Sequence, residues 1–232
     1  MLLPVSHIPG FCYNLKTAKV RIAMPEKSDL DHSANQFSNH ISAVLKDRFF
    51  WLSLLLGGFV LSFTLWFSMG ADAGMLGYCS WVWVHYNLPP YVGCVTENFP
   101  GIFIIHWLIL KIFGESVPGF RAFDFLVQLG SLMMIFYIAR RLFQSGLAGF
   151  LGVLLYATYY YNLDYGFTGE REGFILCLTL VALIIHLALE RRFLLRAGLV
   201  GLLVGFCFLI KPTAGLLIAL ACLRSVVFDF RI

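Results

Sequence analysis

The chain has 232 residues, 59% of them hydrophobic and 13% charged, with a mean hydropathy of +0.81 and a formal charge of +4. Soluble domains carry roughly a quarter charged residues. This composition excludes a water-soluble globular protein and points to an integral membrane protein. No basic run is long enough for a nucleic-acid site, so nucleic acid is not an expected partner.

Residues 1–48 read as a cytoplasmic N-terminal tail and residues 49–232 as the membrane domain. Pro25–Lys46 has no sustained apolar face, and translation can begin at Met1 or at Met24. The first span is Phe49–Met69, free of charge and long enough to cross; Lys46 and Arg48 ahead of it place its start inside. Gly70–Pro100 is too polar and too broken by Gly and Pro to cross, and is expected to be a large first outer loop.

The apolar run Gly101–Phe113 decides the topology. Counted as a span, it leaves Arg140, Arg141, Arg191, Arg192 and Arg196 outside. Laid in the outer interface, it returns all five arginines to the inside, as the positive-inside rule prefers. The spans that follow are then about Arg121–Ala139, Leu147–Leu163, Gly173–Leu189 and Ala197–Ile210, with a sixth beginning in Thr213–Phe228. Tyr156, Tyr159, Tyr160 and Tyr161 read as an interfacial belt, and Gly198, Gly201 and Gly205 as a close-packing stripe. The expected fold is an all-α polytopic bundle with five or six spans and in-plane helices in its first loop.

The six cysteines show no metal-ligand spacing. Cys177, Cys207 and Cys222 read as packing residues; Cys79 and Cys94 share the outer loop, where a disulfide, packing or free thiols are all open.

Charged residues collect on the outer side: Asp72 after the first span, Glu97 in the loop, Glu170 and Glu172 before the fourth span, Arg121 opening the second and Lys211 closing the fifth. Acids there can deprotonate a nucleophile, and cations there can hold an anionic leaving group such as a phosphate. The plain alternatives are structural. Asp72 can cap an interfacial helix, Glu170-Arg171-Glu172 can be a solvated loop, and Arg121 and Lys211 can snorkel to headgroups.

The order ADAGMLGY (71–78), ENFPGIFIIHWLILKIFGES (97–116), Arg121, RRLFQSG (140–146), GEREGF (169–174) and AGLVGLLVGFCFLIKPT (197–213) resembles the C-class membrane glycosyltransferases. The resemblance is greatest to the dolichyl-phosphate-mannose–protein mannosyltransferases and aminoarabinose transferases. It implies transfer of a sugar from a polyprenyl-phosphate donor to a lipid, glycan or protein acceptor on the outer face of the plasma or inner membrane. Asp72 matches the family's catalytic first-loop acid, Glu172 its second-loop acid with Glu170 as the substitute, and Arg121 and Lys211 its phosphate contacts. Glu97 and Tyr78 take supporting places. Two departures stand out: Ala73 follows Asp72 where many members carry a second acid, and Asn98-Phe99 replaces a usual Lys-Pro. No metal constellation is recognisable, though a divalent cation between Asp72 and Glu172 is open. The resemblance implies roughly twice this number of spans, so a truncated or split chain is expected; the competing functional readings are an inactive remnant and a non-enzymatic membrane subunit.

Overall fold

The computed structural model describes residues 38–189, 192–216 and 219. Most of the expected N-terminal tail, Arg191, Cys222 and most of the expected sixth span lie outside these residues. Residues 38–45, expected to be unstructured tail, form a short helix, α1, which buries Val44 in the core.

Asp47 starts α2 (Arg48–Ser62), its carboxylate accepting from the Phe49 amide at 3.0 Å. The helix tightens into a 3-10 turn at Phe63–Trp66, giving 19 continuous residues. At 1.5 Å per residue this is about 28 Å, the thickness of a hydrocarbon core. Its outer surface carries Leu55, Phe59 and Trp66, each more than half exposed; apolar surface of that kind belongs in lipid.

The first loop is largely helical. After Gly70, α3 runs Ala71–Tyr86 and ends on Asn87 in the left-handed region. Pro100 then opens α4 (Pro100–Phe113), where its missing N–H costs nothing. At 14 residues α4 spans only about 21 Å, too short to cross.

Ser116 caps α5 (Val117–Phe143) by accepting from the Gly119 amide, and this helix extends beyond the expected span at both ends. Then follow α6 (Gly146–Asn162), a single turn α7 (Asp164–Phe167), α8 (Arg171–Ala188) and α9 (Phe193–Ile210). Among the described residues four helices are long and apolar enough to cross a membrane: Arg48–Trp66, α5, α8 and α9. The residues of the expected span Leu147–Leu163 form a helix, α6, but its 17 residues, with a run of tyrosines near their end, do not meet the length and hydropathy of these four.

Two contacts fix how α2 and α5 run. Arg140, near the end of α5, pairs with Asp47 at the start of α2 at 2.8 Å. Arg121, near the start of α5, bonds to the carbonyls of Phe67 and Ser68 just beyond the end of α2. The two helices are therefore antiparallel, and α3 and α4 add no crossing between them.

Helices α2, α5 and α6 share a core of Leu61, Leu132, Phe136, Val153 and Ala157. Gly149 lets Phe136 pack directly on the α6 backbone, where a Cβ would sit 2.8 Å from the ring. A second core joins α3, α4, α8 and α9 through Leu76, Ile102, Phe103, Phe174, Cys207 and Ile210. Here Gly101 brings α4 against the α9 backbone: a Cβ at 101 would lie 2.7 Å from the Leu209 carbonyl carbon. The stripe Gly198, Gly201, Gly205 meets no packing partner among the described residues. All three are exposed, with nothing among the described residues within 4 Å of an added Cβ, and α9 buries Val200, Cys207 and Ile210 instead.

Cys79 and Cys94 form a disulfide that ties α3 to the 87–99 loop. Among the open choices for this pair, the fold takes the covalent one.

Candidate functional site

Because α5 and α8 begin, and α2 and α9 end, at the same end of the bundle, their termini bring distant residues together. Five of the charges singled out in the sequence meet there or beside it: Asp72, Glu170, Glu172, Lys211 and, one layer deeper, Arg121.

Asp72 lies in the first turn of α3, where the helix dipole favours a carboxylate. Gly70, not Asp72, occupies the capping position. The Asp72 side chain is 68% exposed and faces the Arg171 guanidinium at 3.8 Å. Arg171 also donates to the side-chain oxygen of Asn98, so the residue that departs from the usual Lys-Pro element is a site contact. Asn98 is itself held through its carbonyl, which accepts from the Tyr91 hydroxyl at 2.5 Å. At the same end, Lys211 at the end of α9 pairs with Glu172 in the first turn of α8; both are substantially exposed.

Glu170, the residue before α8, points inward and is 7% exposed. It accepts a hydrogen bond from the Ala73 amide, while its Oε1 has no partner. Burial pushes its carboxyl above the usual range, and the charge of neighbouring Asp72 pushes it the same way. Asp72 and Glu170 thus form an asymmetric pair, one acid in water and one out of it.

Arg121 departs from its expected placement. It is fully buried, and its five N–H groups are spent on protein: Phe67 O, Ser68 O, Tyr165 O, and both the carbonyl and the hydroxyl of Thr168. Its guanidinium lies over the rings of Phe67 and Phe120. The Asp124 carboxylate at 3.7 Å supplies a counter-charge. A guanidinium so engaged has no donor left for a ligand phosphate. It staples the end of α2 to the α6–α8 connection.

Below it runs a network that sequence reasoning missed. Asp124 Oδ1 accepts from Tyr160 Oη at 2.7 Å and from Gln128 Nε2 at 3.1 Å, and Gln128 Oε1 accepts from Tyr156 Oη at 2.6 Å. Tyr156 and Tyr160 therefore face inward, whereas Tyr159 and Tyr161 remain exposed; only part of the expected aromatic belt faces outward. The signal was available in RAFDFLVQ, with an acid three residues after an arginine and four before a glutamine inside an apolar run.

Glu97 is exposed and makes no ion pair among the described residues. Tyr78, six residues beyond Asp72, lies on another face of α3. It stacks at 6.2 Å on Trp81, and both line a cavity of about 260 Å³ between α3, α4 and the start of α5. His106 forms part of its wall. This histidine is 2% exposed and stacked on Phe120, and burial lowers its pKa to about 4. Glu115 closes the cavity rim by accepting from Trp81 Nε1 at 2.8 Å and meeting His85 Nε2 at 2.9 Å. No group of three metal-ligating side chains occurs among the described residues; Asp72 and Glu172 are each held by a cation of the protein instead.

The class is thus set: an all-α polytopic membrane protein with a cluster of carboxylates and cations at one end of its bundle. Its family follows from comparison. The model of the dolichyl-phosphate-mannose-protein mannosyltransferase family matches residues 97–230, more than half of the chain, and the chain belongs to that family. The matched stretch holds Arg121, Asp124, Glu170, Glu172 and Lys211 and begins after Asp72. No curated protein and no solved structure matches the chain.

Proposed function

We propose that this protein transfers a sugar from a polyprenyl-phosphate donor to an acceptor on the outer face of the membrane. Membership of a mannosyltransferase family supports glycosyl transfer. The observation that carries the mechanism is the charge cluster itself: an exposed acid, Asp72, faces Arg171, which also holds Asn98, and at the same end of the bundle Lys211 is held by an exposed pair with Glu172. An exposed pair such as Lys211–Glu172 is worth about 0–1 kcal/mol, so an incoming phosphate can displace its carboxylate, while the long Asp72–Arg171 contact leaves Arg171 anchored by Asn98.

Asp72 then takes the proton of the acceptor nucleophile as that atom attacks the anomeric carbon. The bond between this carbon and the phosphate oxygen breaks, the sugar inverts, and the phosphate leaves on its lipid. Arg171 and Lys211 stabilise the charge that develops on it. Glu172, released from Lys211, and buried Glu170 keep the cluster acidic around the acceptor. Arg121 acts from beneath by holding the backbone on which these groups stand. A divalent cation between Asp72 and Glu172 would need their present partners to leave first.

Two features support the outer placement. The arginines Arg140, Arg141, Arg192 and Arg196 gather at the opposite end of the bundle, as on a cytoplasmic face. The Cys79–Cys94 disulfide beside the cluster suits an oxidising compartment.

Membranes containing the protein, supplied with a panel of radiolabelled polyprenyl-phosphate sugars, are expected to move label from one of them into an acceptor fraction. Membranes lacking the protein supply the baseline. No transfer above that baseline with any donor would favour an inactive family member or a non-enzymatic subunit.

A further inference from the structure

The buried network beneath the cluster ends on the site. Tyr160 Oη donates to Asp124 Oδ1 at 2.7 Å and accepts from the Gly169 amide at 2.8 Å. Asp124 is fully buried on α5, in the packed part of the bundle, so it is a fixed point. Gly169 has φ +76°, a conformation that side chains disfavour, and a Cβ there would also strike the Phe120 ring at 2.7 Å. The next residue is Glu170. Its partly unpartnered carboxylate is buried against the first turn of α3, beside Asp72. On the other side of Gly169, Arg121 grips both oxygens of Thr168.

We infer that Tyr160, anchored by Asp124, is a positioning residue: by holding the Gly169 amide it sets the turn that directs the Glu170 carboxylate inward beside Asp72. The catalytic consequence rests on the transfer reading above; the positioning itself does not. A side chain on α6 thereby controls the spacing of the two acids without touching a substrate. Tyr156 tests whether the effect is local. It sits one turn earlier on the same helix and enters the same network through Gln128, but does not touch Gly169.

The experiment uses the full chain in detergent or nanodiscs and compares Tyr160→Phe with Tyr156→Phe. Hydrogen exchange is followed by mass spectrometry over residues 164–172, together with kcat and KM for transfer. Tyr160→Phe is expected to speed exchange in this segment about tenfold and to lower kcat about tenfold at unchanged KM. Tyr156→Phe should leave the segment protected. In a Glu170→Gln background Tyr160→Phe should cost no further activity, because both changes act through one group.

Unchanged exchange in Tyr160→Phe overturns the inference. So does equal opening in Tyr156→Phe, which would show general loosening, and so does a double variant whose losses multiply. Wild-type protein that transfers nothing would sink the transfer reading alone; the exchange result still decides whether Tyr160 positions Glu170.

Discussion

Arg121→Met separates a structural staple from a phosphate ligand. The substitution keeps length and apolar bulk but removes a buried charge and five donors. Asp124 is left fully buried with its counter-charge gone and with an Oδ2 that already lacks a hydrogen bond. The carbonyls of Phe67, Ser68, Tyr165 and Thr168 lose a shared donor at the same time. Breaking a buried ion pair from one side costs about 3–5 kcal/mol. Replacing both partners by apolar residues is far cheaper, so Arg121→Met/Asp124→Leu should recover part of the loss. Thermal unfolding in detergent at fixed protein and detergent concentration reads both variants. The expected result is a much lower midpoint for Arg121→Met and a partial return in the double variant. Wild-type stability in Arg121→Met, with only a raised KM for the donor, would refute the staple and restore Arg121 as a phosphate contact.

His106 makes stability depend on pH. Its folded pKa of about 4 lies below the ordinary 6.5, so the unfolded chain binds the proton first. Stability is therefore complete above about pH 6.5 and falls as pH drops toward 4, by about 3 kcal/mol at roughly 1.4 kcal/mol per pH unit. Midpoints measured across this range should fall less steeply in His106→Leu, and parallel slopes would contradict the assignment. The Cys79–Cys94 bond closes a sequence separation of 15 residues, so Cys79→Ala/Cys94→Ala should lose about 3 kcal/mol; an unchanged midpoint would show that the loop needs no tether. Gly101→Ala forces a methyl into the Leu209 backbone of α9, so a loss of about 1–3 kcal/mol is expected in the same unfolding assay, and wild-type stability would show that the helices move apart freely.

The spans were legible because length and charge-free hydrophobicity act locally. The rejection of Gly101–Phe113 as a crossing was legible because arginine placement constrains the whole topology, and the Asp47–Arg140 pair agrees with it. The gathering of Asp72, Glu170, Glu172 and Lys211 at one end followed from that topology alone. Side-chain direction was not legible. Arg121 at a helix start looks the same in sequence whether it snorkels or turns inward, and only the carbonyls of residues 67, 68, 165 and 168 decide. The same ambiguity hid Tyr160 within a run of tyrosines. Asn98 stood out only as a departure from a family pattern; its role as an acceptor for Arg171 depends on a loop folded over α8.

The proposed base that activates the acceptor is Asp72, which lies outside the family match. Asp72→Asn keeps the side chain's shape and removes its ability to take a proton. Transfer from the active polyprenyl-phosphate sugar should fall about 10²- to 10⁴-fold, with insertion and thermal midpoint unchanged. Transfer at the wild-type rate would contradict the account and move the base to Glu170 or Glu172.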